Sequence, residues 1–212
     1  MALKNENGRG IMLSMVDAIH ENKQYLGDID GLIGDGDHGM NMNKGFMTYK
    51  ERLGDDEVSF TEGLDDLGMI LLNEIGGSMG PIYGTIFMDM AEAAEDEEEI
   101  TLEIFGNMLE AGLNGLYDIV DARPGDKTLV DTLEPCVRCI KEAAAAGTDF
   151  KEALLKMKEA AETGRDSTKD MVAKYGRSSR LGERSRGVLD AGATSCCIIL
   201  TAMADGMIAA ID

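Results

Sequence analysis

The segment Asp30-Gly31-Leu32-Ile33-Gly34-Asp35-Gly36-Asp37-His38-Gly39 places three carboxylates within eight residues and separates them with glycines. Glycine tolerates positive φ and close backbone approach, so Asp35 and Asp37 can point the same way across Gly36, and Asp30 can close the cluster. Three converging carboxylates repel one another unless a hard cation neutralises them. Oxygen-only ligands suit magnesium, which keeps water molecules and takes substrate phosphates as further ligands. The segment therefore predicts a phosphate-associated magnesium site.

Two other interpretations of this segment remain open. The aspartates could belong to a polar turn that caps a helix, or they could form a calcium loop. An EF-hand loop needs a glutamate at its twelfth position, and the twelfth residue counted from Asp30 is Asn41. The spacing therefore favours magnesium over a capping turn, and a capping turn over calcium.

The composition of the 212 residues predicts an all-α protein. β-branched and aromatic residues are scarce, tryptophan is absent and methionine occurs 15 times, which favours helices over strands. No repeat, low-complexity linker or shift in composition divides the chain, so we expect one domain over residues 1–212. The net charge of −20 opposes contact with nucleic acid or an anionic membrane, and it requires that a phosphate ligand bring cations.

The two ends of the chain and its cysteines indicate a cytoplasmic protein. The first ten residues are charged and precede no uninterrupted apolar run, so no secretory signal is predicted. Polar residues interrupt the apolar segment 193–211, which favours a buried core helix over a membrane span. A zinc site fits the cysteine spacing poorly, and we expect reduced thiols in core positions. The cysteines are Cys136, Cys139, Cys196 and Cys197.

Apolar periodicity and capping signals predict eight helices. The first four are expected over about residues 10–23, 39–53, 60–75 and 78–94. Asp37 is expected to cap the second helix, Ser59 and Glu62 form a capping box before the third, and Ser78 opens the fourth. The acidic run 95–99 is interpreted as a solvated turn.

The last four helices are expected over about residues 101–120, 128–146, 149–173 and 193–211. Thr101 is expected to cap the fifth helix. Pro135 falls inside the sixth and should kink or interrupt it. A connection rich in glycine and arginine, residues 175–192, precedes the apolar eighth helix.

The order of the connections predicts a single functional face. If short connections make consecutive helices antiparallel, the links one to two, three to four, five to six and seven to eight lie at the same end of the bundle. These four links are the glycine-rich ones, and the last also carries Arg177, Arg180, Arg184 and Arg186. Helix N-termini and arginines bind phosphate oxygens, and magnesium would bridge aspartate and phosphate. The face therefore suits a polyphosphate and phosphoryl transfer.

Two polar residues on this face each have a functional and a structural interpretation. His38 borders the carboxylates and either contacts a ligand or braces the loop. The hydroxyl of Ser78 either contacts a phosphate or only caps a helix. His20 is expected on a helix surface.

Four segments resemble the ADP-binding L subunit of dihydroxyacetone kinase. They are GDGDHGMNM at 34–42, GGSMGPIYGT at 76–85, PGDKTLVD at 124–131 and GRSSRLGERSRGVLDAGATS at 176–195, in the family's order. The chain departs from the family in having Ser78-Met79 where Ala-Ser is common, and Asp190-Ala191-Gly192 where Asp-Pro-Gly is common. The resemblance implies an eight-helix antiparallel barrel that holds ADP or ATP with two magnesium ions at one end.

The resemblance also implies roles for individual residues. Asp30, Asp35 and Asp37 match the magnesium ligands of the family. The positions that match its nucleotide contacts are His38, Gly39, Met40, Asn41, Ser78, Met79, Leu129, Arg177, Asp190, Ala191 and Gly192.

The partners expected from the resemblance are other proteins. In the family, the L subunit passes the terminal phosphoryl group to a ketose such as dihydroxyacetone, which a separate K subunit holds. In some members the bound ADP is recharged by a phosphohistidine subunit of the phosphotransferase system, whereas others exchange ATP. The sequence leaves a homodimer open. Two alternative functions are a nucleotide-sensing module for a regulator and a helical scaffold with a cation-stabilised loop.

Overall fold

The structure, a computed structural model, describes residues 1–211 and contains eight α-helices. They are α1 (Gly8–Ile33), α2 (His38–Leu53), α3 (Phe60–Glu74), α4 (Met79–Glu92), α5 (Leu102–Ile119), α6 (Val130–Ala145), α7 (Phe150–Ser167) and α8 (Ala191–Ala210). Each helix packs against the next in the chain, and α8 packs against α1, which closes the ring. The predicted all-α fold, an eight-helix antiparallel barrel, is confirmed.

The most apolar helix, α8, is a core element, as its composition predicts. It packs against α1, α6 and α7, and 13 of its 20 residues are buried. Within residues 1–211 it is also the one helix long and apolar enough to cross a membrane by length and composition. Fully buried side chains such as Met203 and Met207 each contribute about 1.5–3 kcal/mol through removal of apolar surface from water.

The helices α3, α5 and α7 begin with side-chain caps at the end of the barrel that we call the far end. Ser59 and Glu62 form the predicted capping box, with Ser59 Oγ accepting from Glu62 N at 3.2 Å. Thr101 caps α5 as predicted, and Asp149 caps α7. Each such cap stabilises its helix by about 1 kcal/mol because it satisfies an N–H group that has no partner within the helix.

A short antiparallel strand pair also closes the far end. β1 (Leu3–Lys4) pairs with β2 (Glu99–Ile100), so the solvated-turn interpretation of run 95–99 is wrong at Glu99. The side chain of Asn5 reinforces this pairing, donating to the carbonyl of Glu97 at 2.8 Å. The two-residue strands carry too little periodic sequence to be predicted.

The first helix is longer than predicted, and this changes the position of Asp30. α1 continues past residue 23 to Ile33, because Leu26, Ile29 and Ile33 extend its buried stripe at helical spacing. Asp30 therefore lies in the last turn of a helix and not in a loop. The carboxylate segment is a helix end, a tight turn and a helix start.

Of the kink or interruption predicted for the sixth helix at Pro135, the interruption is wrong. α6 runs continuously over Val130–Ala145 with Pro135 inside it. Proline cannot donate a hydrogen bond to the carbonyl of Asp131. α7 passes that carbonyl closely, since a Cβ on Gly164 would lie 2.3 Å from it. α7 thus packs directly over the carbonyl that Pro135 leaves without its helical donor.

The seventh helix ends earlier than the predicted residue 173. α7 stops at Ser167, and a 3-10 turn over Thr168–Asp170 follows. Two side-chain hydroxyls donate hydrogen bonds to carbonyls in the last turn of the helix. Ser167 Oγ donates to Gly164 O and Thr168 Oγ1 donates to Arg165 O, each at 2.6 Å. The connection to α8 contains a further 3-10 segment, Arg177–Ser185.

Candidate functional site

A cavity of about 850 Å³ lies at the end of the barrel opposite the strand pair. We call this end the site end. All four links predicted to share a face contribute to its wall: α1–α2, α3–α4, α5–α6 and α7–α8. The volume falls in the range of small-molecule sites.

The three aspartates lie together at one side of the cavity. One carboxylate oxygen from each of Asp30, Asp35 and Asp37 lies within 4.8 Å of the others. Three carboxylates at this spacing fit a hard divalent cation such as Mg²⁺. Among residues 1–211 this is the one group of acidic, histidine or cysteine side chains close enough for a metal.

Asp30 shapes the turn that carries the other two aspartates. Its Oδ2 accepts hydrogen bonds from Gly36 N at 2.8 Å and from His38 N at 3.4 Å. Gly36 adopts φ +78°, which glycine reaches at little cost. Asp37 occupies the N-cap position of α2, but its side chain makes no capping hydrogen bond, so its predicted capping role is wrong. Asp30 accepts from the start of α2 instead, which leaves the carboxylate of Asp37 free.

Two of the positions that match the family's nucleotide contacts lie outside the cavity wall. Gly39 is a packing residue, because a Cβ there would lie 1.8 Å from the carbonyl of Lys23 in α1. Met40 is 57% exposed and does not line the cavity. The other nine positions line the cavity, from α2 (His38, Asn41), α3–α4 (Ser78, Met79), α5–α6 (Leu129), and α7–α8 (Arg177, Asp190, Ala191, Gly192).

Of the four arginines in the last connection, Arg177 lines the cavity. Its guanidinium forms an ion pair with the carboxylate of Asp35. Arg186 instead contacts Glu183 and the carbonyl of Asp170 within its own connection. The predicted basic cluster of four arginines therefore supplies one guanidinium to the site.

The first residues of α4 and α8 differ in how they are capped. Ser78 precedes α4 without a capping hydrogen bond from its side chain, so the interpretation as a cap only is wrong. Asp190 caps α8 by accepting from Ala193 N at 2.8 Å. Burial raises the pKa of Asp190 to about 6, while the hydrogen bond from Ala193 and the nearby Lys127 oppose this rise.

The α5–α6 link and the first turn of α6 carry two polar residues that no site prediction included. Lys127 is 1% exposed, has φ +61°, and donates from Nζ to the carbonyls of Thr168 and Val188. Burial lowers its pKa. Asp131 accepts from Gly125 N and Thr128 N and holds the turn. Both lie in the segment PGDKTLVD, which was the available signal for them.

A buried hydrogen-bond network lies beside the carboxylates. His38 Nε2 is 2.8 Å from Ser195 Oγ, and Tyr83 Oη is 2.6 Å from the same Oγ. Both hydroxyl oxygens are 3.1 Å from the carbonyl oxygen of Gly192. Burial lowers the pKa of His38 to about 4, against the opposing charge of Asp30. His38 thus does brace the structure, and it lines the cavity as well.

Tyr83 and Ser195 were missed by the sequence interpretation. The signal for Ser195 was a hydroxyl inside a helix whose neighbours are apolar. Such a group needs a partner when it is buried.

The cysteines are free and have the predicted structural character. Cys136, Cys196 and Cys197 are buried and Cys139 is half-buried. Burial raises the pKa of all four thiols. They are therefore poor nucleophiles and metal ligands.

Fold and site together define an all-helical barrel with one carboxylate-lined cavity formed by its four glycine-rich links. The chain belongs to the DAK2 domain family, whose model matches residues 32–205. The resemblance seen in the four sequence segments is thereby confirmed.

Curated relatives and a solved structure agree with this assignment. The chain is 37% identical to the PEP-dependent dihydroxyacetone kinase, ADP-binding subunit DhaL, of Escherichia coli, over 89% of this chain and 90% of that protein. It is 38% identical to the PEP-dependent dihydroxyacetone kinase 1, ADP-binding subunit DhaL, of Listeria innocua, over 87% of this chain and 88% of that protein. The dihydroxyacetone kinase from C. freundii in complex with AMP-PNP and Mg²⁺ superposes with a TM-score of 0.68 at 20% identity. That match covers 97% of this chain and 34% of the kinase chain, and it shows the fold alone.

Proposed function

We propose that this chain is the nucleotide-binding subunit of a dihydroxyacetone-type kinase. It holds ADP or ATP with magnesium in the cavity and passes the terminal phosphoryl group to a ketose on a separate K subunit. The observation that carries the proposal is the carboxylate group Asp30, Asp35 and Asp37, which stands in the one cavity that all four glycine-rich links share. The names of the E. coli and L. innocua relatives support ADP as the ligand.

The proposed magnesium site is held by the three aspartates. Bound magnesium would neutralise the charge between these carboxylates and the phosphates, which a chain of net charge −20 would otherwise repel. The resemblance to the family implies two ions, and one oxygen from each carboxylate converges on this point, with water and phosphate left to complete the shell of Mg²⁺. The protein's own part is to hold the three carboxylates in place through Asp30, whose bonds to Gly36 and His38 fix the turn.

Other groups in the cavity bind and orient the phosphates. Arg177 has a planar guanidinium that can donate two parallel hydrogen bonds to a phosphate. The starts of α2 and α4 line the cavity, and their N-cap side chains accept no hydrogen bond. Apart from His38 N, which donates to Asp30, their first-turn N–H groups can donate to an anion. Phosphoryl transfer requires mainly positioning and charge neutralisation. These residues supply both.

The acceptor sugar and the phosphoryl donor belong to partner proteins in this proposal. The cavity wall presents carboxylates, an arginine and helix starts, which suit the nucleotide, so the ketose is assigned to the K subunit. The E. coli relative is PEP-dependent by name. This supports recharging of bound ADP by a phosphohistidine protein of the phosphotransferase system.

The experiment is a titration of the purified chain with ADP in a calorimeter, once with magnesium and once with excess chelator. We expect binding that is lost in chelator. A second step adds the K subunit, dihydroxyacetone and a phosphoryl donor, and we expect the sugar phosphate as product. Equal affinity in chelator would refute the metal assignment, and binding without any sugar phosphate would favour a nucleotide sensor.

A further inference from the structure

The network of His38, Ser195 and Tyr83 contains fewer hydroxyl protons than hydrogen-bond contacts. Four contacts lie within bonding distance: His38 Nε2 to Ser195 Oγ, Tyr83 Oη to Ser195 Oγ, and each hydroxyl oxygen to the carbonyl of Gly192. A hydroxyl carries one proton and a carbonyl carries none. The two hydroxyls can therefore donate only two of these hydrogen bonds.

The distribution of those two protons decides the tautomer of His38. The contact between Tyr83 Oη and Ser195 Oγ, at 2.6 Å, is the shortest and must contain a proton. If Ser195 used its own proton on His38, neither hydroxyl would donate to Gly192, and two oxygens would face its carbonyl oxygen at 3.1 Å without a proton between them. If Nε2 carries a proton and donates it to Ser195, the remaining hydroxyl proton goes to Gly192. Three protons then fill three of the four contacts, and one hydroxyl oxygen instead of two faces the carbonyl of Gly192 without a proton.

The second ring nitrogen of His38, Nδ1, has no hydrogen-bond partner among the residues that the structure describes. His38 lines the cavity and is 8% exposed, and no protein group bonds to its Nδ1. Nδ1 is not enclosed either, because in residues 1–211 Tyr49 Oη is the one fully buried side-chain nitrogen or oxygen without a hydrogen bond. Nδ1 therefore opens toward the cavity.

We infer that Ser195, which donates its own proton within the network, fixes His38 as the Nε2–H tautomer, so that Nδ1 meets the ligand as a hydrogen-bond acceptor. The inference rests on the proposed function for the identity of the ligand. Phosphate oxygens of ADP are acceptors at neutral pH, so Nδ1 does not bind the phosphates. The matching chemistry is an O–H donor, either a ribose hydroxyl of the nucleotide or a water molecule on magnesium. Ser195 is the positioning residue, and His38 is the contact.

The tautomer is tested in the protein without nucleotide. Long-range ¹H–¹⁵N NMR spectra distinguish a protonated ring nitrogen from an unprotonated one. The chain has two histidines, so a His20→Gln variant assigns the signals of His38. We expect the proton on Nε2 in the wild type. A proton on Nδ1 would overturn the inference, whether or not ADP binds.

Two variants separate positioning from packing. In Ser195→Ala the Nε2 proton loses its acceptor, and we expect a mixture of tautomers. In Tyr83→Phe, Ser195 still accepts from Nε2 and donates to Gly192, so we expect the Nε2–H tautomer to persist. A merely structural role would leave the tautomer unchanged in Ser195→Ala. If that variant does not fold, the wild-type and Tyr83→Phe spectra still decide.

The source of the O–H donor is tested by calorimetry with ADP, 2′-deoxy-ADP and 3′-deoxy-ADP in magnesium. Loss of one hydrogen bond costs about tenfold in affinity. If a ribose hydroxyl is the donor, one deoxy nucleotide binds to the wild type about tenfold more weakly than ADP does. The same deoxy nucleotide and ADP then bind equally well to His38→Phe. If magnesium-bound water is the donor, the nucleotides bind equally but His38→Phe needs more magnesium. Either pattern supports the inference and identifies the O–H donor. If the wild type does not bind ADP at all, the proposed function is refuted, and the tautomer of His38 is still decided by the NMR spectra.

Discussion

The two ends of the barrel differ in whether the N-cap side chains of their helices accept hydrogen bonds from the first turn. At the far end, α3, α5 and α7 are capped by the side chains of Ser59, Thr101 and Asp149. At the site end, α2, α4 and α6 begin after Asp37, Ser78 and Leu129, none of which makes a side-chain capping hydrogen bond. α8, capped by Asp190, is the exception at the site end. The first N–H of α6 donates to Thr128 Oγ1 and that of α2 to Asp30. The far end thus satisfies its helix starts with N-cap side chains, while at the site end α4 and the rest of the first turn of α2 keep N–H groups for a ligand.

The largest expected effect is a loss of ADP affinity when a carboxylate is removed at the site end but not at the far end. In Asp35→Asn we expect magnesium-dependent ADP binding to weaken about 100-fold or more, because a metal ligand is lost. Folding stability should change by less than about 1 kcal/mol, since the ion pair with Arg177 is at the surface. Calorimetry and urea unfolding measure the two quantities.

Asp96→Asn is the matched control, because it removes the same charge from the acidic run at the far end. It should leave ADP affinity unchanged. An equal loss of ADP affinity in both variants would show that overall charge matters and the site does not.

The pH dependence of stability tests the buried His38. Its pKa is about 4 in the folded protein and 6.5 as the ordinary value. Between these values the unfolded chain takes up a proton that the folded protein does not, so the stability present above pH 6.5 is lost as the pH falls. The loss reaches about 3 kcal/mol near pH 4.

The measurement is urea unfolding of the wild type and His38→Gln from pH 7 to pH 4 in chelator. The variant should lack this loss, so that its stability relative to wild type rises on acidification. Asp190, whose raised pKa acts in the opposite direction, is present in both proteins and cancels. Parallel pH profiles would contradict the prediction, and His20→Gln tests the same substitution at an exposed position.

Two glycine-to-alanine variants compare the stability lost at the two ends of α2. In Gly39→Ala at the site end, the new Cβ would lie 1.8 Å from Lys23 O, and we expect about 2 kcal/mol of lost stability. In Gly54→Ala at the far end, the space is open but φ is +53°, and we expect about 1 kcal/mol. Urea unfolding gives both values. A larger loss at Gly54 would reverse the assignment of Gly39 as a packing residue.

The smallest effect is expected from the far-end cap. Ser59→Ala removes the hydrogen bond to Glu62 N and should lower the free energy of unfolding by about 1 kcal/mol. ADP affinity should not change, because the cap lies at the end away from the cavity. Weaker ADP binding in a protein that remains folded would show that the two ends are energetically coupled.

Composition and apolar periodicity predicted an all-α chain of eight helices, and the order of the links predicted the face that carries the cavity. The barrel arrangement came from the resemblance to the family. Local rules failed where a partner came from elsewhere in the chain. Gly27 and Gly31 resemble helix breakers, yet α1 continues through them because Leu26, Ile29 and Ile33 are buried. Contacts between helices outweigh the low helix propensity of glycine.

The buried network could not be predicted for a related reason. His38 and Ser195 are 157 residues apart, and periodicity within a helix identifies the side that is buried but not the partner across the barrel. The capping role of Asp30 likewise depends on a turn that brings residue 36 back to it. Asp37 satisfies the local rule for a cap, but the folded turn leaves its carboxylate free.

The single ammonium group of Lys127 joins two connections that are far apart in sequence. Lys127 belongs to the α5–α6 link. Its ammonium group donates hydrogen bonds to the carbonyls of Thr168 and Val188, which lie near the two ends of the long α7–α8 connection. The α5–α6 and α7–α8 links, which both line the cavity, are therefore connected by one buried side chain. We expect amide hydrogen exchange in these two connections to speed up together in Lys127→Met, so that this side of the cavity opens as a unit and not loop by loop.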